Sequence, residues 1–164
     1  MTDERRLHRP RVSRSVAAPA EAVWDVVRDG WQYATWVVGA SRVRDVDQGW
    51  PQPGTRLHHS VGLWPATLSD TTVVEEADPP RRILLTARGW PAGEARVEIE
   101  VVADGPETCT VSIAEDASNG PGRLVPMPLR QAVILPRNRE TLLRLALVAE
   151  GRYRLSRGEG TQPA

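Results

Sequence analysis

Apolar residues recur along this 164-residue chain with two different periods, and the change of period divides it. Near the start, Val12, Arg14 and Val16 share one parity and Ser13 and Ser15 the other, a short strand that leads into Ala17-Ala18-Pro19, where proline suits a first helical turn. Ala20, Val23, Trp24 and Val27 then fall at the spacing of one helix face, with Glu21, Asp25 and Arg28 elsewhere. This predicts an amphipathic helix that Gly30 ends. The segment Trp31 to Gly39 places Trp31, Tyr33 and Trp36 within six residues and predicts a second short helix close behind the first.

From Ser41 the period becomes two. Strands are predicted over Ser41 to Asp47, Arg56 to Trp64, Thr67 to Glu76, Arg82 to Trp90, Ala95 to Ala103 and Thr108 to Asp116. Pro/Gly-rich links separate them: 48–55, Pro65, Pro79-Pro80, 91–93 and Asp104-Gly105-Pro106. Short links between successive strands imply an antiparallel meander. Its clearest member sets Ala95, Val97, Ile99 and Val101 against Arg96, Glu98 and Glu100, one buried and one wet face.

After Gly120-Pro121-Gly122, the prolines 126, 128 and 136 interrupt the pattern. Arg137 to Arg154 then reads as one long helix, with Pro136 just before its start and an apolar side of Leu142, Leu145, Ala146, Ala149 and Tyr153, widened by Leu143 and Leu147. The order of elements predicts an α+β domain in which a curved antiparallel sheet of about seven strands wraps a long C-terminal helix, with one or two short helices after the first strand. Residues 1–10 and 156–164 lack apolar periodicity and are expected to be flexible tails around a domain of residues 11–155.

Composition narrows the function classes. The net charge is zero with 26% charged residues, and Cys109 is the single cysteine, so no disulfide framework or multi-cysteine zinc site is available. The longest uncharged stretch, Leu57 to Ser69, is 13 residues, too short for a membrane-spanning helix, and a charged N-terminus is unlike a signal peptide. A cytoplasmic location is expected, with no integral membrane association. No dinucleotide, phosphate-loop, zinc-protease or nucleophile-elbow motif occurs, so no cofactor, no metal and no nucleic acid is expected.

Several segments together resemble the SRPBCC (START/pollen-allergen-like) superfamily, and within it the bacterial polyketide cyclase/dehydrase and lipid-transport branch. They are the run from Ala17 to Asp25, the Trp31 to Trp36 spacing, Trp50-Pro51 with Gly54, Asp70 to Glu75, and Arg137 to Leu145. The resemblance implies a helix-grip fold with a hydrophobic cavity between the sheet and the long helix. It carries over no catalytic residues, because carriers and enzymes share the fold.

Candidate chemistry follows from which side chains face that cavity. Glu115 shares parity with Cys109, Val111 and Ile113, so it faces inward if they do, where desolvation raises a carboxyl pKa and fits it for acid/base work; otherwise it turns to solvent at the strand end. Asp70 and Thr72 share parity with Leu68 and Val74, as ligand contacts or as partners in a cross-strand hydrogen bond. His58 and His59 are adjacent, so only one faces inward, as an acid/base group or a satisfied structural histidine. Trp31, Trp36, Trp64 and Trp90 are candidates for an aromatic wall around a ligand, or simply for core. Residues 123–157 carry eight Arg against Glu140 and Glu150, a pattern that suits an anionic partner or, more simply, a solvated face.

The expected function is binding or carriage of a hydrophobic, lipid-like or polyketide-like small molecule. The alternative is a cyclase/dehydratase-type enzyme that moves a proton with Glu115 or an inward histidine. A weaker alternative is a protein-interaction module that uses the Arg-rich helix.

Overall fold

The period-two alternation of residues 95–101 becomes a two-sided strand with Ile99 and Val101 buried on one face, but the other face, expected to be wet, is exposed at Arg96 and closed over Glu98, which is fully buried. The computed structural model of the chain describes residues 9–63, 65–89 and 93–159. Within them the order is β1 (Arg11–Val16), α1 (Ala20–Val27), a 3₁₀ turn (Gly30–Gln32), α2 (Tyr33–Trp36), β2 (Ala40–Val46), β3 (Arg56–Leu63), β4 (Ala66–Asp78), β5 (Arg82–Gly89), β6 (Gly93–Gly105), β7 (Thr108–Asn119), a second 3₁₀ turn (Pro121–Leu124) and α3 (Met127–Ser156). The tails expected at 1–10 and 156–164 fall largely outside the described residues.

The strands form one antiparallel sheet in the order β1-β7-β6-β5-β4-β3-β2. Strands β2 to β7 are a meander, and β1 closes onto β7 with Val16 opposite Cys109. Register shifts between Val74 and Glu76 on β4, and near both ends of the β6–β7 ladder, mark bulges, which bend a sheet and raise its twist. On the concave face Leu57, Val74, Ile83, Leu85, Ile99, Val101, Val111 and Ile113 form one apolar cluster with Leu142, Leu145, Ala146 and Ala149 of α3. This is the helix-grip fold.

Three local expectations need correction. Helix α1 stops at Val27, and Gly30 instead opens the 3₁₀ turn, buried where a Cβ would lie 2.8 Å from Val46 Cγ1. Close packing, not a left-handed helix cap, is what requires glycine there. Helix α3 begins at Met127, ten residues before the expected start, and runs through Pro136. Pro136 and Ala132 are both exposed, so the carbonyl left without its helical N–H lies on the side open to water. Leu147, expected on the apolar side, is 56% exposed.

The convex face is held by charge. Glu98 is fully buried there, its carboxylate accepting from Arg11 at 2.6 Å and from Arg82 at 2.6 Å, while Arg82 also reaches Glu76. Burial opposes its ionisation, but the hydrogen bonds from the two guanidinium groups win and hold its pKa below the usual carboxylate value.

Candidate functional site

A cavity of about 140 Å³ lies between the concave sheet and the N-terminal half of α3. Its apolar wall comes from β5, β6 and β7 with Leu85, Val97, Ile99 and Ile113, and from Trp36 and Val37 at the end of α2. The polar groups converge from four directions: Tyr33 on α2, His59 on β3, Asp70 on β4, and Glu115 facing Arg137 and Asn138 of α3.

The two-residue period of β3 sends His59 into this space and His58 to the other face, where His58 Nδ1 lies 3.4 Å from Thr71 Oγ1 and Nε2 is 3.7 Å from Asp47. Thr72, opposite Leu57 in the β3–β4 ladder and fully buried, sits between two rings. Its hydroxyl oxygen is 3.0 Å from His59 Nε2 and 3.1 Å from the Tyr33 hydroxyl. Burial pushes the Tyr33 phenol up to about 12, and burial with the Arg44 charge pushes His59 down to about 4, so both are neutral at pH 7. The relay Tyr33 O–H to Thr72 O–H to His59 Nε2 uses every hydroxyl proton; we assign the histidine hydrogen to Nδ1 on this ground. His59 Nδ1 makes no hydrogen bond of normal geometry, although the Ser60 backbone nearby favours the charged ring.

Glu115 is buried and inward, as its parity required, but it is not alone. Its Oε2 accepts from Arg137 Nη2, and Gln131 Nε2 donates to its backbone carbonyl at 2.9 Å. The lone desolvated carboxyl imagined from sequence is therefore a charge-paired one. Asp70 is also buried, with Oδ1 accepting the Thr71 N–H at 2.7 Å, and burial raises its pKa above the ordinary aspartate value. No carboxylate–arginine bond is made by Asp70 among the described residues; Arg44 donates to its backbone carbonyl instead.

Four cavity-lining residues hold a buried nitrogen without a protein partner: Trp36 Nε1, His59 Nδ1, Arg137 Nε and Asn138 Nδ2. Buried donors are rarely left unmatched, so four such nitrogens on residues that line one space are a chemical signature of it. It describes a site with an apolar wall and spare hydrogen-bond donors.

The sequence-derived candidates divide accordingly. His59, Asp70, Glu115 and Trp36 line the cavity, and Thr72 buttresses two of its rings. His58 is on the opposite face, and Trp31 is 60% exposed on the 3₁₀ turn and away from the cavity, so neither contributes to its wall. Trp64 and Trp90 lie outside the described residues. Tyr33, Arg137, Asn138 and Thr141 were missed. The α3 residues had a readable signal: Asn138 and Thr141 continue the Leu142-Leu145-Ala149 stripe at helical spacing, as polar members of a buried face.

A larger open groove of about 960 Å³ lies between α1, the Trp50-Pro51 loop, the Pro79 turn and the end of α3. Four of its charged groups are paired, Asp29 with Arg152 and Asp25 with Arg28, and none of the residues with an unpartnered buried nitrogen lines it. Among the described residues no group of His, Cys, Asp and Glu is arranged to hold a metal ion, and no helix is long and apolar enough to cross a membrane.

A family model for "Polyketide cyclase / dehydrase and lipid transport" matches residues 8–150. The chain belongs to this family. Among solved structures it is similar to the Zhui aromatase/cyclase from Streptomyces sp. R1128, at 21% identity and a TM-score of 0.67 over 91% of this chain and 98% of that one. A START superfamily protein from Mycobacterium smegmatis matches at 21% identity and a TM-score of 0.62, over 90% and 97%. The di-domain ARO/CYC StfQ from the steffimycin biosynthetic pathway matches at 13% identity and 0.64, over 87% of this chain and 51% of that one. At these identities the structural likeness shows a shared fold. No match was found among curated protein sequences. Membership in the polyketide cyclase/dehydrase and lipid transport family supports hydrophobic ligand binding or a cyclase role and does not choose between them.

Proposed function

We propose that the protein binds a small, mainly apolar molecule bearing at least one oxygen acceptor in the cavity between α3 and the sheet. The observation that carries this reading is the set of unpartnered nitrogens on Trp36, His59, Arg137 and Asn138 around an apolar wall. A pure hydrocarbon would leave these donors unmatched, which for a buried polar group costs about 1–3 kcal/mol each. A carbonyl or phenolic oxygen would answer them. Native mass spectrometry of the purified protein, followed by extraction, tests this: a retained oxygenated apolar compound is expected. Retention of a hydrocarbon chain with no oxygen near the donors would overturn it.

A second reading, cyclase/dehydratase-type catalysis, is favoured by one observation, the buried Asp70 carboxyl with its raised pKa beside the cavity. It is better placed to exchange a proton than Glu115, whose Oε2 is already engaged by the Arg137 guanidinium, or than His59, which at about 4 is a weak base. If the protein turns over a poly-carbonyl substrate, Asp70→Asn is expected to lower kcat at least about a hundredfold while leaving binding within a few-fold. Unchanged kcat removes Asp70 from that role.

A further inference from the structure

Helix α3 changes its amphipathic pattern part-way along. Past residue 138 it is conventional, with Leu142, Leu145, Ala146 and Ala149 buried against the sheet and Arg139 and Arg144 exposed. In the first ten residues the outward side is the apolar one, while the inward side mixes polar groups with the half-buried Ile134 and Leu135. The polar side chains turn inward, with Arg130 bonded to Asp116 and Gln131 to the Glu115 carbonyl. The outward side, by the 100° step of a helix, consists of Leu129, Ala132, Val133 and Pro136, with Leu129 62% and Val133 73% exposed. The preceding turn adds Leu124 at 86%, followed by exposed Val125 and by Met127, the first residue of α3. This is a contiguous apolar surface, which soluble proteins rarely present without a use.

The charge around it is one-sided. Between Asp116 and Glu140 the sequence contains no acidic residue and four arginines. Arg130 and Arg137 are paired inward, whereas Arg123 and Arg139 are exposed and have no acidic partner among the described residues. A convex helix carrying outward aliphatic side chains between two free guanidinium groups has the chemistry of an interfacial helix on an anionic bilayer. The next turns of the same helix supply Arg137, Asn138 and Thr141 to the cavity, so the surface is continuous along α3 with the proposed binding site.

We propose that the outer face of the first half of α3, with the turn before it, docks on an anionic lipid surface, letting an apolar ligand move between bilayer and cavity. The docking claim rests on the apolar face and the free arginines and not on the cavity reading, so the two can fail separately.

The test is co-sedimentation of the full chain with vesicles of phosphatidylcholine alone or mixed equally with phosphatidylglycerol, at low and high salt, alongside light scattering without lipid. Binding to the mixed vesicles is expected, weakened by salt and by roughly fivefold for Arg123→Gln. The double variant Leu129→Glu/Val133→Glu is expected to lose at least about tenfold in bound fraction, while Leu147→Glu, an exposed leucine on the second half of the same helix, leaves binding intact. Circular dichroism melts establish that each variant is folded. No sedimentation with either vesicle, or binding equally indifferent to salt and to the double variant, overturns the proposal. A concentration-dependent dimer that the double variant dissolves, with no vesicle binding, overturns it in favour of a second copy as the occupant.

Discussion

Glu115 on β7 and Arg137 on α3 meet across the gap between sheet and helix, carboxylate to guanidinium, and this contact ties the polar half of α3 to the concave face. The glutamate is almost fully buried and the arginine only partly, so the pair is strengthened by low dielectric on one side and loosened by water on the other. Glu115→Gln is expected to destabilise the protein by about 1–3 kcal/mol, since it leaves a guanidinium facing neutral groups. Adding Arg137→Gln should recover part of that loss. Urea melts of the two single variants and the double variant check this, and strict additivity of the two losses would mean the pair is not coupled.

His59 makes stability depend on pH in a stated direction. Its pKa falls from 6.5 unfolded to about 4 folded, so between those values the unfolded chain binds more protons. Stability from this group is therefore full above pH 6.5 and is lost as pH falls towards 4. At about 1.4 kcal/mol per pH unit the loss has a ceiling of about 3 kcal/mol. His59→Gln should flatten the melting temperature over that range; an unchanged slope would locate the pH dependence elsewhere.

Thr72 carries two neighbours on one hydroxyl. Thr72→Val keeps the branched shape and removes the oxygen, which strands Tyr33 and His59 in a buried place, at a cost of about 1–3 kcal/mol. Thermal melts measure the loss, and a neutral outcome would show that water replaces the hydroxyl.

At Gly30 the limit is space. A methyl group there would meet Val46 Cγ1 at 2.8 Å, with Leu57 Cδ1 and Trp50 Cδ1 each at 3.2 Å. Gly30→Ala is expected to cost about 1–3 kcal/mol by overpacking. A stabilised variant would show that these side chains yield freely.

On the convex face, Glu98→Gln should weaken the bonds to Arg11 and Arg82 and reduce stability at neutral pH by about 3 kcal/mol. Because the folded pKa is lowered, the contribution of Glu98 is present above the ordinary carboxylate value and lost as pH falls through the folded one. Wild type and variant should thus converge in acid, as chemical melts across pH can show.

Much of the fold was legible because strand parity is a strict signal. The inward direction of Glu115 follows from its two-residue step after Ile113, and the split of His58 from His59 follows from adjacency. Two things were hidden for physical reasons. The start of α3 was obscured because its first ten residues carry apolar groups on both sides, Leu129 and Val133 outward and Ile134 and Leu135 inward beside Arg130 and Gln131, which blurs the periodicity a helix is recognised by. The partnership of Glu115 with Arg137 was hidden because it joins residues on different elements. No local pattern reports which arginine of an Arg-rich helix turns inward, and that choice is what separates a paired carboxylate from a free acid.

The most direct test of the central claim is calorimetric titration of the protein with two bicyclic probes of similar shape, the ketone 1-tetralone and its hydrocarbon counterpart tetralin, repeated on Asn138→Leu. The cavity with spare donors predicts that the ketone binds at least about tenfold tighter than the hydrocarbon, a margin of about 1.4 kcal/mol, and that Asn138→Leu narrows the gap. Equal affinity for both probes, or no binding of either, would contradict it.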